Sequence, residues 1–289
     1  MANIIDGKGI SKEVRQELKD KCDKLFNEYG KRPGLAVIIV DNDPASKVYV
    51  NNKEKACAEV GYYSEVYRLD ENTSEEELLN LVDKLNNDEN IDGILCQLPL
   101  PKHLDETKVI LKIDPDKDVD AFHPSNVGKI MIGNYSFLPC TPAGVMKLIE
   151  STGVDICGKE CVVVGRSNIV GKPQAMLLLQ KNGTVTICHS KTKNLCEITK
   201  RADILVVAIG KADFIKADMV KEGAVVIDVG MNRKEDGKLT GDVDFESVSR
   251  VASFITPVPG GVGPMTITML LKNTMTAFES RIYKSNGVK

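Results

Sequence analysis

Short runs of β-branched and aliphatic residues alternate with segments of helical periodicity along the whole chain, and that alternation admits few architectures. Ile10, Val14, Leu18, Cys22, Leu25 and Phe26 recur at helical spacing, and Gly30 closes their segment. Leu35–Val40 then reads as a buried strand, about 45–60 as a helix ending at Gly61, and 62–69 as a second strand. Ser74 and Glu77 form a capping box ahead of a helix that carries Leu78, Leu79, Leu81, Val82 and Leu85. Ile91–Gln97 is a third strand that runs into the loop Leu98-Pro-Leu-Pro101. Strand–helix–strand repetition of this kind builds a parallel sheet covered by helices on both faces.

Between Asp114 and Pro139 the periodicity fades and turn residues cluster (Pro115, Gly128, Gly133, Asn134), which places an interdomain connection there. Thr141 with Pro142 reads as an N-cap and first helical residue. A second series follows, with strands at 160–164, 184–188, 204–208 and 225–229, and the pattern Asn194-x-x-Glu197 opening one of its helices. After the Gly/Pro loop Thr256–Pro264 comes a last helix over 265–283. The expectation is a two-domain α/β protein: a parallel α/β domain over 1–138, a Rossmann-like domain over 139–265, and a terminal helix, 266–289, packing back on the first domain. A length of 289 residues suits two domains.

Composition narrows the function. A net charge of −3 lacks the basic excess with which nucleic-acid binders neutralise phosphates, so no nucleic-acid partner is expected. There is no run of 18 apolar residues and no basic-then-apolar leader pattern at the N-terminus, so neither a membrane span nor export is expected. The eight cysteines form no C-x-x-C pair; they read as reduced thiols packed in the core of a cytoplasmic protein, and no metal site is expected.

Val162-Val-Val-Gly-Arg-Ser-Asn-Ile-Val-Gly-Lys-Pro173 has the form strand, glycine turn, helix start. It lacks the G-x-G-x-x-G spelling but keeps Gly165 and Gly171, and free amides at the helix start could hold a pyrophosphate. An ordinary strand-to-helix turn is the plain alternative. The next strand ends in His189-Ser190, with Lys191 and Lys193 beyond, where an NAD site usually offers a carboxylate to the ribose. Arg166 and a hydroxyl suit a 2′-phosphate instead, so the pattern leans to NADP; a solvated Arg166 is the alternative.

Tyr49 and Lys53 are four apart on a helix and share a face. Gln97 ends a strand, and Asp118 and Asp120 lie in Lys117-Asp-Val-Asp120, where open α/β sheets present ligands. Solvent exposure of Lys53 and an Asp-rich surface turn are the plain readings of these features. Pro259-Gly-Gly-Val-Gly-Pro264 is nearly free of side chains and lets backbone approach a flat ligand closely.

Taken together, the stretches Ser46-x-x-Tyr49-Val-x-x-Lys53-x-Lys-Ala-Cys57, Gly93-Ile-Leu-Cys-Gln-Leu-Pro-Leu100, Lys117-Asp-Val-Asp120, Pro139-Cys-Thr-Pro-Ala-Gly144, Gly165-Arg-Ser-x-x-Val-Gly-Lys-Pro173 and Thr256–Thr266 resemble one family. It is the bifunctional methylenetetrahydrofolate dehydrogenase/methenyltetrahydrofolate cyclohydrolases. Two local departures are Ala121-Phe-His123 after Asp120 and Cys96 before Gln97. The resemblance implies oxidation of 5,10-methylene-tetrahydrofolate by NADP⁺ and hydrolysis of the methenyl product to 10-formyl-tetrahydrofolate, in a cleft between the domains of a homodimer serving one-carbon metabolism. It implies Lys53 as proton carrier, Gln97 orienting it, Tyr49 stacking on the folate and Asp120 accepting from the pterin. Cys96, Leu98 and Pro259, Gly260, Gly261, Val262 and Gly263 would line the substrate. Gly165, Arg166, Ser167, Ser190 and Met231 would hold the cofactor.

Two rival readings start from the same residues. Tyr49-x-x-x-Lys53 mimics the couple of short-chain dehydrogenases, but there the glycine turn comes before the couple, and here it follows in another domain. A non-catalytic NADP-binding regulator would gain nothing from keeping Lys53, Gln97 and Asp120 together.

Overall fold

We describe a computed structural model covering residues 1–40 and 44–285, with side chains described for all of these except 44–49 and 285. The elements in chain order are β1 (Asn3–Ile4), α1 (Gly7–Tyr29), β2 (Gly34–Val40), α2 (Pro44–Val60), β3 (Tyr63–Leu69), α3 (Glu75–Asn86) and β4 (Gly93–Cys96). The short helices α4 (Glu106–Lys112) and α5 (Pro124–Met131) follow, then α6 (Cys140–Ser151), β5 (Glu160–Val164), α7 (Gly171–Gln180), β6 (Thr184–Cys188), α8 (Leu195–Thr199) and β7 (Ile204–Val207). The chain ends with β8 (Val225–Asp228), β9 (Asn232–Arg233), β10 (Leu239–Thr240), α9 (Phe245–Val248), β11 (Phe254–Ile255) and α10 (Val262–Ser285).

Two compact units result. The first comprises Met1–Lys12, Ile130–Gly133 and Thr141–Thr266; the second comprises Glu13–Lys129, Asn134–Cys140 and the chain from Ile267 onward. Both α1 and α10 therefore begin in the first unit and end in the second. The first unit holds a six-stranded sheet in the order β1-β11-β8-β7-β5-β6, parallel throughout, and a small antiparallel hairpin of β9 and β10. The second holds a three-stranded parallel sheet, β3-β2-β4.

The apolar runs account for the central strands. Every residue of β2, β4, β7 and β8 is buried, as expected for parallel strands covered on both faces. Val162, Val164, Leu205, Val207, Val226 and Ile255 form part of the first unit's core, and Ile38, Leu78, Val82, Leu85 and Ile94 part of the second's. Each such side chain contributes roughly 1.5–3 kcal/mol of burial. The Ser74 hydroxyl accepts from the Glu77 amide at 3.2 Å, forming half of the expected capping box.

The structure differs from the sequence reading in several places. The first twelve residues, assigned by sequence to the first domain, belong instead to the six-stranded unit, because Asn3 and Ile4 pair in parallel with Phe254 and Ile255. Residues 130–133 join that unit too, and its long continuous segment runs from Thr141 to Thr266. Asn194 does not cap its helix through its side chain; it sits at φ +52°, and its carbonyl accepts from the Glu197 amide. Thr141 lies inside α6, which starts at Cys140, and its hydroxyl meets that of Thr266 at 3.1 Å. Val262 and Gly263, expected in a loop, form the first turn of α10. From Ile267 on, α10 joins the second unit: Leu271 O accepts from Tyr62 Oη, and Arg281 is ion-paired with Asp92 at 2.6 Å. Among the described residues, no helix is long and apolar enough to cross a membrane.

Candidate active site

In the second unit α2 carries Lys53, β4 runs into Gln97, and Asp118 bridges to Ile94 of β4, bringing the chain after it alongside. Lys53 is 7 % exposed, a rare state for a lysine. Its ammonium Nζ donates to Gln97 Oε1 at 2.8 Å, while Gln97 Nε2 donates to the Leu98 carbonyl at 2.8 Å. That second bond fixes which end of the amide faces the lysine. Burial pushes the Lys53 pKa down, and the Asp120 carboxylate is the main influence opposing it. Burial likewise pushes Asp120 up to about 6, with Lys53 acting to lower it. Both groups are thus moved toward their neutral forms, and each favours the charge of the other.

The two aspartates have different employment. Asp118 Oδ2 accepts from the His123 amide and from Asn126 Nδ2, at 2.8 and 2.9 Å, so it shapes the chain. Asp120 has part of its surface open and takes its Oδ1 contact from the Cys140 thiol at 3.5 Å. Sequence reasoning left Cys140 and Asn273 without a role. Asn273 on α10 donates to the Val119 and Leu138 carbonyls, both at 2.8 Å, and so holds the residues preceding Asp120 and Cys140. Burial pushes Cys140 well above its usual range, Cys96 to about 12 and Cys57 to about 11, so these thiols stay protonated around the amine. The Pro139-Cys-Thr-Pro stretch was the available signal for Cys140; none existed for Asn273. Leu98 is half-buried, and the side chain of Tyr49 lies outside the described residues.

The first unit holds the expected cofactor residues. Gly165 has φ +137°, and a Cβ there would stand 2.3 Å from the Ala208 carbonyl oxygen. A Cβ on Gly171 would stand 2.3 Å from Gly165 O, so the turn closes only with glycine at both places. This is a cradle that brings bare backbone to a ligand at strand ends, and it fits a dinucleotide. One detail departs from expectation: the helix-start amides of Val170 and Gly171 go to Ser167 Oγ, and that of Lys172 to Ser167 O, so they are not free for a pyrophosphate. Val164 and Cys188 are register partners, so Arg166 and Ser190, both exposed, leave the sheet from adjacent strands. Met231 is 46 % exposed, and its Cε would lie 4.0 Å from a Cβ on Gly263. The turn Pro259–Gly261 is tight: Gly260 has φ +111°, and a Cβ on Gly261 would stand 2.6 Å from Pro257 O. Lys53, Cys96, Gln97, Leu98 and Asp120 thus belong to one unit, and 259–263 with the cofactor residues to the other.

Comparison with known proteins identifies both halves of the chain. A family model for the tetrahydrofolate dehydrogenase/cyclohydrolase catalytic domain matches residues 5–120, and one for the NAD(P)-binding domain matches 139–282. The bifunctional protein FolD of Acetivibrio thermocellus is 67 % identical over 276 residues, covering 96 % of each chain. The crystal structure of the bifunctional FolD methylenetetrahydrofolate dehydrogenase/cyclohydrolase from Campylobacter jejuni superposes with a TM-score of 0.95 at 50 % identity, covering 97 % of this chain and 100 % of that one. The Trypanosoma brucei enzyme, solved with NADP cofactor and an inhibitor, gives 0.94 at 41 % identity, covering 97 % and 98 %. The chain belongs to the tetrahydrofolate dehydrogenase/cyclohydrolase family.

Proposed function

We propose that this chain oxidises 5,10-methylene-tetrahydrofolate to the 5,10-methenyl form with NADP⁺ and hydrolyses that product to 10-formyl-tetrahydrofolate, with Lys53 carrying the proton of the second step. The family and the activities of its relatives support the two reactions. The observation that carries the assignment to Lys53 is a buried amine held at 2.8 Å by an oriented carboxamide beside a carboxylate.

When bound, NADP⁺ accepts the hydride that leaves the methylene carbon. That step needs alignment rather than a base, and Gly165 with its neighbours supplies a shaped backbone surface for it. Hydrolysis needs proton transfer. A cationic methenyl substrate next to Lys53 adds like-charge repulsion to the desolvation already acting, so a share of the amine is neutral near neutrality. The neutral Nζ takes one proton from the water that adds to the methenyl carbon and returns it to the ring nitrogen as the carbon–nitrogen bond breaks, while the hydroxyl of the adduct gives its remaining proton to solvent as the formyl C=O forms. Gln97 holds Nζ in line throughout, and Asp120 accepts from the amino edge of the pterin. Arg166 and Ser190 favour the 2′-phosphate and hence NADP over NAD.

Lys53→Met tests the assignment: NADP binding is retained and methenyl hydrolysis is lost. Hydrolysis at the parent rate would remove Lys53 from the mechanism. The working form is a cytoplasmic homodimer, as the family resemblance implies, and sedimentation at a single-chain mass would overturn the dimer.

A further inference from the structure

In the first unit, two buried carboxylates join the strand ends on which the cofactor residues sit. Asp242 is fully buried, and its two oxygens are saturated by donors from two different segments. Oδ2 accepts from the Ile209 and Gly210 amides at 2.7 and 3.0 Å; Oδ1 accepts from the Lys211 amide at 2.7 Å and from Asn232 Nδ2 at 2.9 Å. Three successive amides wrapped around one anion form a nest, here filled by the protein's own side chain. Residues 209–211 follow β7, and Asn232 follows Met231, so both segments lie past the C-terminal ends of strands, where parallel sheets meet ligands.

Asp228 extends the arrangement. At the end of β8 its Oδ1 accepts from the Gly230 and Asp242 amides and its Oδ2 from the Val243 amide, all at 2.9 Å. Its own amide donates to Thr256 Oγ1 at 2.8 Å, at the entrance to the Pro257–Gly261 turn. The contacts leave no slack. A Cβ on Gly230 would stand 2.3 Å from Asp242 Cγ, and one on Gly241 1.8 Å from Asp228 Oδ2. Ala208, next in chain to the nest, is the residue against which Gly165 closes.

We propose that Asp242 is a positioning residue for the dinucleotide: with its backbone amide held by Asp228, its carboxylate sets residues 209–211 and Asn232 at the spacing the cofactor requires. A carboxylate is needed because an amide offers one oxygen, not two. In Asp242→Asn, two of the four donors lose their acceptor and face an NH₂ group instead. The inference rests on the proposed NADP-dependent function and concerns how this chain prepares the surface for the cofactor.

The experiment titrates NADPH fluorescence on the full-length parent, Asp242→Asn and Asn232→Ala, and follows amide hydrogen exchange at 209–211 and 230–232 without cofactor. Asp242→Asn should bind NADPH at least tenfold more weakly and exchange faster at both segments. Asn232→Ala, which removes one donor and spares the nest, should weaken binding by a smaller factor. Methenyl hydrolysis reports on the second unit and distinguishes a specific loss of cofactor binding from general damage. NADPH affinity in Asp242→Asn within twofold of the parent overturns the proposal. If Asp242→Asn does not fold, unchanged affinity in Asn232→Ala overturns it. A parent that binds no NADPH at all would refute the proposed function instead.

Discussion

Replacing Gln97 by methionine isolates the contact on which the hydrolytic mechanism rests. The two side chains have similar length and volume, so packing beside β4 is kept while Oε1 and Nε2 disappear. What is lost is one hydrogen bond of 2.8 Å to a buried ammonium and a second, also of 2.8 Å, to the Leu98 carbonyl. A hydrogen bond to a charged group contributes about 1.5–3 kcal/mol. If that energy holds Nζ where the water adds, its loss lowers kcat for hydrolysis by roughly 10- to 150-fold, at about 1.4 kcal/mol per decade. Hydride transfer, which needs no base, falls less. The pH profile adds a sign. Hydrolysis through neutral Lys53 rises with pH as the ammonium loses its proton. Removing an acceptor disfavours the ammonium, so in Gln97→Met the rise moves to lower pH. Gln97→Glu places an anion there, favours the ammonium, and moves the rise to higher pH. Stopped-flow loss of methenyl absorbance between about pH 5.5 and about pH 9 reads both effects. A methionine variant within twofold of the parent, or two profiles displaced the same way, would refute the reasoning.

Asp120 and Arg166 provide two further tests. The folded carboxyl of Asp120 titrates at about 6, above the ~3.9 of an unfolded chain, so the folded state binds more protons between those values. Its contribution is therefore most favourable below about pH 4 and is lost as pH rises through about 6; urea unfolding should show Asp120→Asn gaining on the parent by up to about 3 kcal/mol over that span. A difference between the two that does not change with pH would contradict the assignment. Arg166→Ala should raise KM for NADP⁺ far more than for NAD⁺ in steady-state assays, and equal effects would remove the 2′-phosphate argument.

The parts of the structure that follow from local composition were legible before any coordinates. A run such as Leu35–Val40 can only be buried, and every residue of β2 is. Lys53 and Gln97 could be nominated because one shared a helical face with Tyr49 and the other ended a strand; their meeting across 44 residues is a product of the β2–β4 pairing. What stayed hidden depends on distant partners. A two-residue strand such as Asn3–Ile4 has no period to detect, and only its neighbour Phe254–Ile255 makes it a strand. Gly128 reads as a turn residue, yet it lies inside α5. Asp118 and Asp120 were indistinguishable as letters; one is consumed by His123 and Asn126, the other is left to Lys53. Asp242 offered no signal, because a buried anion is identified by the amides that surround it, and these come from 31 to 33 residues away.

The two long helices have a practical consequence for anyone dissecting this chain. Because α1 and α10 each contribute to both units, a gene cut near codon 139 would not release either one intact. The C-terminal product would lose the edge strand that Asn3 and Ile4 supply and would carry Leu271, Met275 and Phe278 uncovered. The N-terminal product would lack those same residues and the tether from Asn273. No single cut avoids this, because the two units alternate along the chain: 1–12 and 141–266 belong to one, 13–129 and 267 onward to the other.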